Sequence, residues 1–577
     1  MQLTAQRLFG MLMVLFLGVS VLSAQGVETE DVIRHPQGLE RAGVYGLRQI
    51  DPNLDGQGVK ISVISRSYTY SPENVPGNDY QPNLEHHCLQ DKPVSLVNIQ
   101  GIPSAMAISP HSTNVCSILF GHDTQAYSPT LGAFTYEGVV PGAEAEVCEF
   151  VHFYTERVLV QKDLLADVVT LSCGKDEAWW TRSLENRVND DGVLVVASGG
   201  NGLEAEQTLI YPGAAANLIG VGVVASVRTT DPVTNSRYFT LVYPERSSCG
   251  PADDGRCKPD IVSPGNCLVA SAVDPNAYEF AGDWSSFAAP VVAGVTGQLV
   301  QKARQTPGLE VVASPESGGR VIKAILMNSA HKLPFWHKGQ IAFDDDHHVP
   351  LDYAQGAGMV DALAAYEQLM AGRQEPGPVA TRGWDLGELE RGGDVAKAYQ
   401  FHISEPEEQT ITCTVVWNRH YLDPYDMNSV SASDIRLELW ARESDSGGQL
   451  VLLDYSDSTI DNVEHIFFKT RSGYQDYEIV VILNEGEDSA EQPNMEHFAL
   501  AWDVSTLAEE DNIHWYDLNG DGIVNAADSA LLMHYQKEQA QADGYALGDI
   551  NSDGVIDSTD LRMIRQNNLR QAPWYIP

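Results

Sequence analysis

The stretch Asp283-Trp284-Ser285-Ser286-Phe287-Ala288-Ala289-Pro290 runs directly into Val291, Val292, Ala293, Gly294 and Val295. A small-residue turn entering an apolar helical pattern predicts a helix whose N-terminus carries the Ser286 hydroxyl. Backbone N–H groups and the helix dipole favour developing negative charge there. An acyl-transfer nucleophile needs that setting, because its tetrahedral intermediate carries an oxyanion. The same position is also where a serine simply caps a helix.

Two further stretches bear on the choice. His111 lies in Pro110-His111-Ser112-Thr113-Asn114-Val115, ahead of an apolar run that reads as a helix. Asn201 lies in Val195-Val196-Ala197-Ser198-Gly199-Gly200-Asn201-Gly202, a buried-strand pattern ending in a Gly-rich turn. A base, an amide donor and a hydroxyl, each at the end of a regular element, are the parts of a serine hydrolase site. In these residues the chain resembles the subtilisin-like serine peptidases. His-Ser-Thr-Asn stands for the family's His-Gly-Thr-His, Ala-Ser-Gly-Gly-Asn for its Ala-Ala-Gly-Asn, and Ser-Ser-Phe-Ala-Ala-Pro for its Thr-Ser-Met-Ala-Ala-Pro. Val140-Pro141-Gly142-Ala143, Tyr211-Pro212-Gly213-Ala214, Ser247-Ser248-Cys249-Gly250-Pro251, Asp254 to Ile261 and Gly356-Ala357-Gly358 follow in family order. The resemblance spans about residues 40 to 370. It implies an α/β domain with a mostly parallel central sheet over 25–372. It also implies His111 as base, Ser286 as nucleophile and Asn201 as oxyanion donor.

The family's acid ends the first buried strand. Here that strand reads Val59-Lys60-Ile61-Ser62-Val63-Ile64-Ser65, so Ser65 stands where an aspartate is expected. The acid holds the imidazole in the right tautomer and stabilises the imidazolium. In proteases of this type its loss costs roughly 10⁴-fold in turnover, on the order of 5 kcal/mol of barrier. Asp79, Asp91 and Glu73, in the loop after the strand, are the candidates to replace it. Trp284 departs from the glycine usual beside the nucleophile. Cys173, in Leu171-Ser172-Cys173-Gly174, matches a stretch that lines the family's substrate cleft.

Arg7 precedes an apolar run from Leu8 to about Leu22, followed by Ser23-Ala24-Gln25. This reads as a secretory signal peptide over 1–24, not a membrane span. Removal near Ala24 leaves about twenty residues before Gly43-Val44-Tyr45-Gly46-Leu47, which resembles the family's mature N-terminus. That is too few for the family's inhibitory folding propeptide. The expected product is secreted, with no later span. A formal charge of −43 argues against nucleic acid or anionic membrane as partner. The eight cysteines show no metal-ligand spacing. Cys249 and Cys257, flanking a short loop, are the best disulfide pair in an oxidising compartment. Cys116 reads as a buried thiol.

The pattern then changes. Residues 373–382 are rich in Pro and Gly and read as a linker. Over 383–505, short apolar or alternating runs argue for an antiparallel β-sandwich. They include Thr410–Trp417, Ile435–Trp440, Leu450–Leu453 and Tyr477–Leu483. This part, with Asp461-Asn462-Val463-Glu464, resembles the jelly-roll domain that follows some subtilisin-like domains. Its expected role is a structural partner to the first domain, with substrate or carbohydrate binding as the alternative.

Residues 506–577 hold a repeat: Asp517-Leu518-Asn519-Gly520-Asp521-Gly522-Ile523 ending at Asp528, and Asp549-Ile550-Asn551-Ser552-Asp553-Gly554-Val555 ending at Asp560. Oxygen ligands at loop positions 1, 3, 5 and 12, a glycine at 6 and a backbone carbonyl at 7 suit calcium. The expected ligands are Asp517, Asn519, Asp521, Ile523 and Asp528 for one ion, and Asp549, Asn551, Asp553, Val555 and Asp560 for a second. Each loop precedes a helical pattern, with no clear helix before it. This combination resembles a type I dockerin, which implies a cohesin-type partner. The residues at positions 10 and 11 that help choose it are Ala526-Ala527 and Ser558-Thr559. Asp344-Asp345-Asp346-His347-His348 is a further acidic cluster, read as a solvated charge run before a metal site.

Two functional classes follow. One is an exported serine endopeptidase with a weakened triad, tethered through its C-terminal module. The other is an inactive pseudopeptidase serving as a binding or scaffolding module.

Overall fold

A computed structural model of the chain describes residues 33–69, 77–98, 108–205, 208–230, 237–333, 336–339, 347–404, 409–421, 430–443, 448–484, 493–506, 516–518, 523–538, 548–550 and 555–571. The leader-like segment 1–24, Glu73 and Asp344–Asp346 lie outside these residues, as do Asn519, Asp521, Asn551 and Asp553.

The near-continuous apolar runs become strands buried on both faces, as parallel sheets require. In spatial order the central sheet runs Arg237–Leu241, Ile219–Thr230, Leu194–Ser198, Val168–Leu171, Lys60–Ser65, Glu144–Glu149 and Val94–Val97, with Ile261–Pro264 also on Ile219–Thr230. All of these pairings are parallel except that of Arg237–Leu241. The helix Pro110–Phe120 packs against Ser285–Gln305, which runs beneath Val168–Leu171, Leu194–Ser198 and Ile219–Thr230. The α/β subtilisin-like fold expected from the sequence is therefore present.

Two sheets follow. One orders Gly377–Pro378, Ala396–His402, Tyr474–Leu483, Ile435–Glu443 and Leu450–Ser456. The other orders Arg382–Glu390, Met495–Thr506, Gln409–Trp417 and Val463–Lys469. Pairing is antiparallel apart from Gly377–Pro378. Leu389, Trp417 and Phe498 from one sheet share a core with Tyr399, Leu437 and Ile479 from the other, which makes a β-sandwich.

The sandwich is welded to the first domain. Trp384, Val416, Val463, Ala499 and Ala501 enter the first domain's core, and helix Arg320–Asn328 lies across Gln409–Trp417 and Met495–Thr506. The Asp-Asn-Val-Glu stretch is part of the joint. Asp461 accepts the Cys257 N–H at 2.8 Å, and Asn462 Nδ2 donates to the carbonyls of Ala216 (3.2 Å) and Trp417 (2.7 Å). His347 and His348 are turned to the sandwich, meeting the carbonyls of Tyr455 (2.9 Å) and Asp457 (3.0 Å).

Among the described residues the last module holds two helices, Ala526–Glu538 and Ser558–Gln566, over a small core of Leu518, Val524, Leu532, Ile550, Ile556 and Ile564. Among the described residues no helix is long and apolar enough to cross a membrane. The expected Cys249–Cys257 bridge is corrected: both are free thiols. Cys249 Sγ meets the Ser247 carbonyl at 3.4 Å and Cys257 Sγ the Leu351 carbonyl at 3.5 Å. Loop length alone suggested the pair, but each sulfur is drawn to a different neighbour.

Candidate active site

The sequence-derived positions lie where open α/β sheets place their sites, beyond the carboxyl ends of the strands. Ser65 ends Lys60–Ser65, Ser172 follows Val168–Leu171, and Asn201 follows Leu194–Ser198. Ser286 is the second residue of the 21-residue helix Ser285–Gln305, whose N-cap is Trp284. Ser286 therefore does not cap its helix, and its hydroxyl is available for other work.

Pro290 explains part of the local geometry. In an α-helix its N–H would bond the Ser286 carbonyl four residues back, but proline has none. Ser172 Oγ supplies that donor instead, at 2.7 Å. In return Ser286 Oγ donates to the Ser172 carbonyl at 3.1 Å. The turn at Ser286 is thus clasped to the residue that follows strand Val168–Leu171.

The amide of Asn201 is equally fixed. Its Oδ1 accepts the Ser285 N–H at 3.0 Å and the Ser285 hydroxyl at 2.8 Å, while Ser285 Oγ accepts the Gly200 N–H at 3.2 Å. Gly200 has φ +120°, and a Cβ there would run into the Ser248 hydroxyl. Donation is left to Nδ2. Among the described residues the Ser286 N–H has no backbone partner. A helix N-terminus with one backbone and one side-chain donor is suited to hold an oxyanion.

His111 lies in the first turn of Pro110–Phe120, a helix capped by Ser109 Oγ, which accepts the Ser112 N–H at 3.1 Å. Its ring sits 5.8 Å from the ring of Phe287, the residue after Ser286. Burial alone pushes the imidazole down to about 4. At neutral pH it is uncharged and able to accept a proton, but it is a feeble base.

Ser65 is 3% exposed, and among the described residues its hydroxyl meets no hydrogen-bonding partner. Of the candidate carboxylates, Glu73 lies outside the described residues and Asp79 is engaged elsewhere. Asp79 accepts the N–H groups of Tyr68 (3.2 Å) and Thr69 (2.9 Å) and the Thr69 hydroxyl (3.0 Å). Asp91 is exposed. The sequence reading missed Glu149, which pairs in register with Ser65 on the adjacent strand and is fully buried. Its Oε2 caps the helix Phe150–Phe153 through Val151 (2.7 Å) and His152 (3.0 Å), and Oε1 takes the Ser67 N–H at 3.5 Å. Burial raises its pKa despite those donors. An acid at the end of a buried strand was the available signal.

Cys173 Sγ approaches the Ile64 carbonyl at 3.9 Å, and burial pushes its thiol up to about 12, so it is no rival nucleophile. Trp284 carries the Arg246 guanidinium 5.8 Å over its ring.

In the C-terminal module the first and last carboxylates of each loop are buried: Asp517 4%, Asp528 0%, Asp549 4% and Asp560 0% exposed. Asp528 accepts the Asn525 N–H at 2.6 Å and Asp560 the Asp557 N–H at 2.8 Å, the same contact in each repeat. Four buried acids in so small a core fit a hard cation.

The chain thus joins an α/β domain with a mostly parallel sheet to a C-terminal repeat of two loop–helix units. The subtilase family model matches residues 98–358 and the type I dockerin model residues 515–569. Among characterised proteins, C5a peptidase of Streptococcus pyogenes is 34% identical over 120 residues, which are 21% of this chain and 9% of that protein. Subtilisin-like protease SBT6.1 of Arabidopsis thaliana is 27% identical over 205 residues, 35% of this chain and 17% of that one. Serine protease AprX of Bacillus subtilis is 26% identical over 213 residues, 33% and 44%. The chain therefore covers less than half the length of each of these relatives. Solved structures similar in fold include the CspB protease of Clostridium perfringens (13% identity, TM-score 0.38, 58% of this chain and 99% of that one). The patellamide maturation protease PatG is another (16%, TM-score 0.37, 58% and 98%).

Proposed function

We propose that the chain is an exported serine endopeptidase with a weakened triad. Ser286 is the nucleophile, His111 the base, and Asn201 Nδ2 with the Ser286 N–H the oxyanion donors. The observation that carries this reading is the double hold of Ser285 on Asn201 Oδ1 at the N-terminus of the nucleophile helix. A site that had lost its chemistry has no need of so fixed an amide. In the reaction Ser286 Oγ leaves the Ser172 carbonyl and attacks the scissile carbonyl while its proton passes to His111. The imidazolium returns that proton to the departing amine, and water then hydrolyses the ester by the same route. Ser65 offers the imidazolium no charge, so each proton transfer is slow.

The C-terminal module binds two calcium ions, through Asp517, Asn519, Asp521, Ile523 and Asp528 and through Asp549, Asn551, Asp553, Val555 and Asp560. It tethers the peptidase to a cohesin-type module. Bound calcium supplies positive charge to carboxylates that the small core otherwise buries at a cost.

The alternative, a pseudopeptidase that binds without cleaving, is favoured by a Ser65 hydroxyl that has no partner among the described residues and by the resting contact of Ser286 Oγ with Ser172. A fluorophosphonate probe separates the two. The peptidase reading predicts labelling of wild type and none of Ser286→Ala. No labelling of wild type, or equal labelling of both, removes it.

A further inference from the structure

The strand Val463–Lys469 ends the four-stranded sheet, with Gln409–Trp417 as its one strand neighbour in that sheet among the described residues. Sheet edges of this kind are covered, charged or shortened in stable proteins. Here the far end of the strand is met by the C-terminal module. Phe467, 3% exposed, clusters with Trp336 of the first domain and Tyr516 of the module. The Trp336 and Phe467 rings meet edge to face at 5.6 Å. Two residues on, Lys469 Nζ donates to the Ile550 carbonyl at 2.6 Å.

The module residues in this contact have a common address. Tyr516 immediately precedes Asp517, the first position of one loop, and Ile550 immediately follows Asp549, the first position of the other. Ile550 is also held from within, since its N–H donates to Asp560 Oδ1 at 2.8 Å, the last position of its loop. One residue is therefore gripped by the sandwich on its carbonyl and by a loop carboxylate on its N–H.

We propose that the sandwich edge at Phe467 and Lys469 is a docking surface for the chain's own C-terminal module, and that seating there is linked to cation loading of both loops. The inference rests on the calcium reading given above. A hard dication fixes the loop backbone, and with it Tyr516 and Ile550, in the places the sandwich and Trp336 recognise. By linkage the dependence is reciprocal: the seated module holds its cations more tightly than a free one. The tethering module is then a calcium-dependent clasp whose position relative to the peptidase domain is set, not a bead on a loose string.

Hydrogen exchange of the full chain, with calcium and with EGTA, tests this. EGTA should quicken exchange in the module, and in Val463–Lys469 on the order of tenfold, because Phe467 and Lys469 lose the contacts that hold the edge strand. Phe467→Ala should bring that strand to the faster rate with calcium present while Ala526–Glu538 stays protected. Tyr516→Ser, made on the module side and outside the sandwich core, should do the same. Faster exchange in the module alone, with Val463–Lys469 unmoved by EGTA and by Tyr516→Ser, overturns the inference and leaves the calcium reading standing. No change anywhere on EGTA removes the calcium reading, and the inference with it.

Discussion

At the scale of single residues, the proposed site pairs a well-held amide at Asn201 with a buried imidazole at His111. Asn201 is fixed by two bonds from Ser285, so its Nδ2 should carry much of the catalysis that remains. Asn201→Ala is expected to slow peptide hydrolysis by about 10²–10³, the range found for such a donor in a subtilisin. A smaller effect in kcat/KM would mean that the amide does not face the oxyanion. His111 gives a pH signature. Its pKa is depressed to about 4 by burial, so the neutral, proton-accepting form persists well below neutrality. Activity should hold steady down to about pH 5 and fall as pH drops through about 4, where a conventional triad loses activity near 7. The same depression has a stability sign. Between the unfolded value near 6.5 and about 4, the unfolded chain takes a proton that the folded ring refuses, so acidification across that window weakens the fold. A pH–rate profile with its acid limb near 7 would show a carboxylate acting on the imidazole after all.

At the scale of elements, helix Ser285–Gln305 and strand Val168–Leu171 form one device. Pro290 withholds the N–H that the Ser286 carbonyl expects, and Ser172 provides the replacement. Ser172→Ala should therefore cost about 1–3 kcal/mol in thermal unfolding, the penalty for an unpaired carbonyl. Adding Pro290→Ala restores a donor inside the helix, so the double variant should recover much of that loss. Strictly additive effects of the two changes would contradict the clasp.

Elements also show what was legible in the chain. The helix entered at Ser285, the helix at His111, the strand ending at Ser65 and the twin loop-helix repeats follow from local patterns that local structure obeys. The Ser172–Ser286 clasp was invisible, because it joins residues 114 apart. Glu149 was passed over because register between strands cannot be read from one strand. Thr410, Thr412 and Thr414 alternate with apolar residues, and nothing within the strand tells which face is covered. All three are buried, and Thr414 Oγ1 donates to Asn328 Oδ1 at 3.0 Å. A second domain supplied the cover, and no pattern within the strand announces that.

At the scale of the whole molecule, the sandwich acts as part of the peptidase domain's core. Asn462 spans the joint by giving both amide hydrogens to carbonyls on its two sides. Asn462→Ala should leave those carbonyls unpaired and loosen the joint. The expected calorimetric result is one unfolding transition in wild type that moves down or splits in the variant. An unchanged transition would show that the shared apolar core of Trp384, Val416 and Ala499 carries the joint alone.

In the proposed site Ser286 and His111 lack only a charge at position 65. The most direct measurement is the rate of fluorophosphonate labelling of Ser286 at neutral pH in Ser65→Asp against wild type. A carboxylate there should raise the imidazole pKa and speed labelling by up to about 10⁴-fold. A rate unchanged or lowered in a folded variant would contradict this, and would show that the imidazole and the hydroxyl are not set to exchange a proton.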